Sequence, residues 1–126
     1  MLELRVALTV EDYEEALRFY RDGLGLEVGE SWDRPDGRGA IFPVERATLE
    51  VLSKDMAETV DRIEAGDRVS GPVRLALEVD DPAGAGERLV AAGAELVGGP
   101  VETPWGDVNV RVQAPGGMQL TLFRTP

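Results

Sequence analysis

The chain has 126 residues, with 24 acidic against 13 basic side chains and neither histidine nor cysteine, for a formal charge of −11 at neutral pH. That length predicts one domain, since about 100–150 residues is the commonest size for a single buried core, and 43% hydrophobic with 29% charged residues excludes a disordered or membranous chain. So negative a surface repels phosphate backbones and anionic lipid, which argues against nucleic acid and membrane as partners, and the missing residue types exclude disulfides, thiolate nucleophiles, zinc–thiolate sites and Ser-His-Asp triads.

Residues 2–10 alternate, with Leu4, Val6, Leu8 and Val10 on one face and Arg5, Ala7 and Thr9 on the other, which predicts a strand covered on one side. Glu3 and Arg5 interrupt this apolar stretch and no basic leader precedes it, so it does not read as a signal peptide and a cytoplasmic address is expected. Asp12 as N-cap, Glu15 at the third helical position and Gly23 or Gly25 as stop predict a helix. Its stripe of Tyr13, Ala16, Leu17, Tyr20 and Leu24 is expected in the core. Strands are expected over 27–32, 40–44 and 47–52, with Pro35-Asp36-Gly37 supplying a hairpin turn. Met56, Val60 and Ile63 at helical spacing, closed by Gly66, predict a short helix over 56–65.

The programme then repeats. Residues 73–79 read as a strand, Asp81 as a cap, Pro82 as the first helical residue and Gly93 as a stop, followed by strands over 95–97, 108–112 and 119–123. Aligning 5–12 with 74–81 gives identity at five of eight positions, at an offset of 69 residues. Each half therefore reads βαβββ, and the expected organisation is one domain of two modules, about 1–53 and 73–126, joined by a linker over 54–72 that carries the short helix. Corresponding residues of two such modules converge near a pseudo-two-fold axis. The first strands offer Arg5 and Arg74, and the last strands offer Glu50 and Thr121, each a polar residue among apolar ones.

The tandem βαβββ pattern, the helix ending Ala16-Leu17-Arg18-Phe19-Tyr20-Arg21-Asp22-Gly23-Leu24-Gly25-Leu26, and Pro104-Trp105-Gly106 followed by Ala114-Pro115-Gly116-Gly117 together resemble the vicinal oxygen chelate superfamily. That superfamily includes glyoxalase I, extradiol dioxygenases, fosfomycin-resistance enzymes and bleomycin-resistance proteins. The resemblance covers nearly the whole chain and implies an α+β fold whose two modules form a cupped, incomplete barrel-like sheet. It also implies a homodimer, the common state of members of this size. In metal-dependent members the four strand positions carry His or Glu around a divalent ion; here they match Arg5, Glu50, Arg74 and Thr121. Two permanent cations and one carboxylate are a poor donor set, so no metal and no cofactor is expected, and glyoxalase, dioxygenase and fosfomycin chemistry are excluded together.

Arg5, Glu50 and Arg74 then have two readings: an internal ion-pair cluster standing where a metal would be, or a site whose guanidiniums bind a carboxylate, quinone or phenolate oxygen. Trp32, Phe42 and Trp105 are the aromatics expected to line the cleft, against the alternative that each is ordinary packing. The acidic surface would suit a cationic guest such as bleomycin, but two arginines in the site favour a planar, neutral or weakly anionic one. The leading expectation is a non-catalytic protein that sequesters a hydrophobic or aromatic small molecule through Arg5, Glu50, Arg74, Thr121, Trp32, Phe42 and Trp105, in the manner of antibiotic self-resistance. The alternative is a metal-independent isomerase, lyase or hydrolase with Glu50 as base and Arg5 or Arg74 stabilising an oxyanion.

Overall fold

A computed structural model describes residues 5, 6, 8, 10–48, 50, 52–67 and 69–126. Its elements are helices α1 (Tyr13–Leu17), α2 (Lys54–Ala65) and α3 (Pro82–Ala91) and strands β1 (Glu30–Arg34), β2 (Gly37–Ile41), β3 (Leu75–Glu78), β4 (Glu95–Glu102), β5 (Val108–Gln113) and β6 (Gln119–Arg124). The described strands form two open sheets, an antiparallel β1–β2 hairpin and a four-stranded sheet in the order β3-β6-β5-β4, with no closed barrel among them. β3 runs parallel to β6, and β5 is antiparallel to both its neighbours.

The second half carries the full βαβββ programme. Asp81 accepts a hydrogen bond from the Gly84 amide, Pro82 opens α3 where no amide partner is needed, and Gly93 follows the helix at φ 114°, a left-handed value that suits glycine. α3 lies on one face of the large sheet, where Leu89, Ala85, Val110, Val112, Leu120 and Leu122 make the core with Phe19. Gly86 permits that approach, since a Cβ there would stand 2.9 Å from Val110 Cγ1. Because side chains alternate along a strand, the opposite face of β5 and β6 carries Asn109, Arg111, Gln119 and Thr121. α2 covers that polar face. It is capped by Ser53, whose Oγ accepts from the Met56 amide, and closed by Gly66 at φ 79°. Gly98 lets its last turn lie against β4: a Cβ there would be 2.1 Å from the Glu64 carbonyl oxygen.

The first half departs from expectation. Of the strand expected over 2–10, residues 1–4, 7 and 9 lie outside the described residues, and Arg5, Val6, Leu8 and Val10 belong to no strand, with Val6 more than half exposed. The strand expected over 47–52 is likewise absent among the described residues there, Leu49 and Val51 lying outside them. The hairpin forms with both arms drawn toward the tip, because Arg34 pairs with Gly37 and leaves only Pro35 and Asp36 as the turn. Phe42, expected mid-strand, therefore falls just past the end of β2.

Asp12 caps α1 through the Glu15 amide, after which the helix widens into a π-helical turn over Arg18–Gly23. The extra residue in that turn shifts the inward face, so Phe19 is fully buried and Tyr20 packs edge-on against it at 5.0 Å. Tyr13, expected in the core, instead lies under the Arg38 guanidinium at 4.5 Å in a cation–π contact.

Candidate functional site

The polar face of the large sheet gathers its charge around one hydroxyl. Arg111 and Thr121 are directly opposed on β5 and β6, and Arg74 enters one residue before β3 begins. Arg74 Nη1 donates to Thr121 Oγ1 at 2.6 Å and Arg111 Nε donates to the same oxygen at 3.0 Å. The Thr121 hydroxyl in turn donates to Glu64 Oε1 at 3.2 Å, so both its lone pairs and its proton are used.

Arg111 is fully buried and is balanced from α2. Its Nη1 donates to Asp61 Oδ1 at 2.8 Å, and its Nη2 lies 3.3 Å from Glu64 Oε1 without the geometry of a hydrogen bond. Asp61 does more than balance this charge, because its Oδ2 accepts from the Val69 and Ser70 amides at 3.0 Å each, and Ser70 Oγ reaches it at 2.8 Å. The same carboxylate therefore ties α2, the segment leading to β3 and the sheet together.

Arg74 is half-buried, and its guanidinium is held below its ordinary value by burial and by the charge of Arg111, against the opposing pull of Glu64, Glu50 and Asp61. Glu50 is itself exposed, and so is Arg5. Of the four strand positions singled out in the sequence, Arg74 and Thr121 are thus in direct contact and Glu50 acts on Arg74 through its charge.

The aromatic candidates lie apart from one another. Trp32 sits on β1 with its indole across Gly39, lining a groove of about 260 Å³ with Tyr13, Leu17, Val28 and Arg38. Trp105 is half exposed in the turn between β4 and β5, where its Nε1 donates to Asp107 Oδ2 at 3.1 Å. Phe42 is half-buried beside Pro43.

Arg111, Asp61 and Glu64 were not singled out in the sequence. The signal for Arg111 was present in Val108-Asn109-Val110-Arg111-Val112-Gln113, an alternation that places a cation in line with Asn109 and Gln113 on the face away from the valines. Asp61 and Glu64, three apart, share a helix face, but only contact with the sheet identifies it as a buried one.

The divalent metal of the superfamily's metal-dependent members does not fit this donor set. Both Thr121 lone pairs are taken by guanidiniums, and two cationic groups stand where an ion would have to bind. Among the described residues no group of three or more His, Cys, Asp or Glu side chains is arranged to hold a metal, and no helix is long and apolar enough to cross a membrane.

Residues 4–122 match the Glyoxalase/Bleomycin resistance protein/Dioxygenase superfamily. An ethylmalonyl-CoA/methylmalonyl-CoA epimerase of Cereibacter sphaeroides is 35% identical over 100 residues, which cover 74% of this chain and 72% of that protein. Among solved structures, an antibiotic binding protein from Streptomyces sp. CB03234 superposes with a TM-score of 0.60 at 24% identity, covering 100% of this chain and 99% of that one. A glyoxalase-related enzyme from Fulvimarina pelagi superposes with a TM-score of 0.63 at 23% identity, covering 100% and 90%. At these identities the two structures speak to the fold alone.

Proposed function

The chain belongs to the Glyoxalase/Bleomycin resistance protein/Dioxygenase superfamily, and from that premise we propose that it binds a hydrophobic or aromatic small molecule bearing an anionic or strongly polarised oxygen, and holds it without turnover. The observation that carries this reading is Arg74. A guanidinium has five donors, and this one is half-buried beside a second cation, Arg111. An anionic oxygen at that position would relieve the repulsion and take up a planar fork suited to it. An antibiotic binding protein is built on the same fold, which is compatible with sequestration, and the absence of His and Cys removes the usual acid–base and nucleophilic groups.

A thermal-shift screen of aromatic natural products, followed by titration of the wild type and Arg74→Ala, tests this reading. A true ligand at one hundred times its dissociation constant stabilises the fold by about 2.7 kcal/mol. Arg74→Ala is expected to weaken it by about 1.5–3 kcal/mol while the protein stays folded. Unchanged affinity in Arg74→Ala would end this reading.

The epimerase relative favours one other reading, a metal-independent isomerase, lyase or hydrolase in which Glu50 removes a proton and Arg74, with Arg5, steadies the oxyanion. Glu50→Gln separates the two. It abolishes turnover with substrate still bound in the enzyme reading, and changes no reaction in the binding one.

The chain is also proposed to act as a homodimer. Val6, Val44 and Val73 are each more than half exposed, and among the described residues β3 is an edge strand of the large sheet, so a second copy has apolar surface and a sheet edge to cover.

A further inference from the structure

The two carboxylates that face Arg111 are held unequally. Asp61 makes a 2.8 Å hydrogen bond to Nη1 and is further fixed by the Val69 and Ser70 amides, so it cannot leave without undoing the chain that leads to β3. Glu64 is held by the Thr121 hydroxyl at 3.2 Å and stands 3.3 Å from Arg111 Nη2, a buried donor that has no hydrogen-bond acceptor. It sits in the last turn of α2, where helices open most readily.

The surrounding face has other unmet groups. Asn109 Oδ1 and Gln119 Oε1 are buried without donors, and both residues are more than nine-tenths buried. By strand register Asn109 lies in the row on one side of the Arg111–Thr121 pair and Gln119 in the row on the other. Neighbouring rows on one face of a strand are about 7 Å apart, so an aromatic molecule anchored at the Arg111–Thr121 pair reaches one of these rows, on one side or the other.

We infer that the place held by the Glu64 carboxylate, between Arg111, Thr121 and Arg74, is the subsite for a ligand carboxylate, and that Glu64 is its intramolecular stand-in. This rests on the reading of the Arg74 face as a binding site, and it narrows the ligand to an aromatic carboxylic acid, with a hydroxyl or amino substituent to meet either Asn109 or Gln119. The exchange conserves charge: Arg74 and Arg111 keep two anionic partners, Asp61 and the incoming carboxylate. The bound acid gains the acceptor geometry at Nη2 that Glu64 does not supply.

The experiment titrates naphthoate and its neutral analogue naphthamide into the wild type, Glu64→Gln and Arg74→Ala, with thermal melts of each. Removing the competing carboxylate is expected to tighten naphthoate at least about tenfold, the equivalent of about 1.4 kcal/mol, and to leave naphthamide unchanged. Arg74→Ala weakens naphthoate. Should Glu64→Gln fail to tighten naphthoate while Arg74→Ala still weakens it, the stand-in is refuted and the Arg74 site survives. Should a neutral aromatic bind through Arg74 and naphthoate not bind at all, the carboxylate assignment is refuted alone. If no aromatic depends on Arg74, both readings fall. Glu64→Asp, which withdraws the charge by one methylene, is the second variant; if neither folds, Glu64 is structural and the inference is overturned.

Discussion

At Thr121 a single hydroxyl joins two arginines to a helix, and the three substitutions around it separate structure from function. Arg111→Leu leaves Asp61 and Glu64 buried without a cation, so urea unfolding should show a loss of about 3–5 kcal/mol. Thr121→Val removes the shared acceptor from both guanidiniums, with an expected loss of about 1–3 kcal/mol by the same measurement. Arg74 should behave oppositely. Its folded value lies below its ordinary one, which means the native state binds that proton less tightly than the unfolded chain. The resulting cost to stability is fully present at neutral pH and fades only as pH rises through the depressed folded value. Arg74→Met should therefore hold or raise the melting temperature while weakening ligand, and a large fall in melting temperature would show Arg74 to be a structural residue instead. Glu50 is exposed, so Glu50→Gln should leave the melt unchanged.

Among the elements, α2 depends on close approach to β4 as much as on its own sequence. Two of its three buried residues are carboxylates, Asp61 and Glu64, so ion pairs and Val60 hold it to the sheet. Gly98→Ala would push a methyl group into the Glu64 carbonyl and the Ala65 Cα, and is expected to cost about 1–3 kcal/mol. Hydrogen exchange should localise the damage: amides of 61–66 exchange faster, while those of β5 and β6 keep their protection. Uniform acceleration across the sheet would contradict an independent α2 contact. The caps of α1 and α3 were legible because Asp12 and Asp81 act on amides three residues away. The π-helical turn after α1 was not, since it is the packing of Phe19 beneath α3 that makes the wider turn worthwhile.

For the whole molecule, the two halves of the repeat fold to different extents among the described residues. The second builds a four-stranded sheet with α3 on one face, the linker helix α2 covers the other, and the first contributes α1, its π-helical continuation and one hairpin. A dimer of 13.6 kDa chains should sediment at twice that mass at micromolar concentration, and added salt should strengthen it by screening the repulsion between two surfaces of charge −11. A clean monomer across that range would leave the exposed valines without the proposed cover.

Several features of the chain were decided locally and could be read in order along it. Helix caps, the glycine stops, the strand alternation of β5 and β6 and the repeat at an offset of 69 residues each depend on neighbours within a few positions or on comparison of the sequence with itself. Arg74 and Thr121 were found that way, as polar residues at matching places in alternating strands. Arg111, Asp61 and Glu64 were not, because a charge is expected in water until something covers it. Whether α2 lies over the polar face of β5 and β6 depends on the path of the chain between the modules and on Gly98 permitting contact, neither of which is encoded in local pattern. Tertiary structure alone therefore decided that two carboxylates of α2 would meet a buried arginine, and that the hydroxyl between them would also hold Arg74.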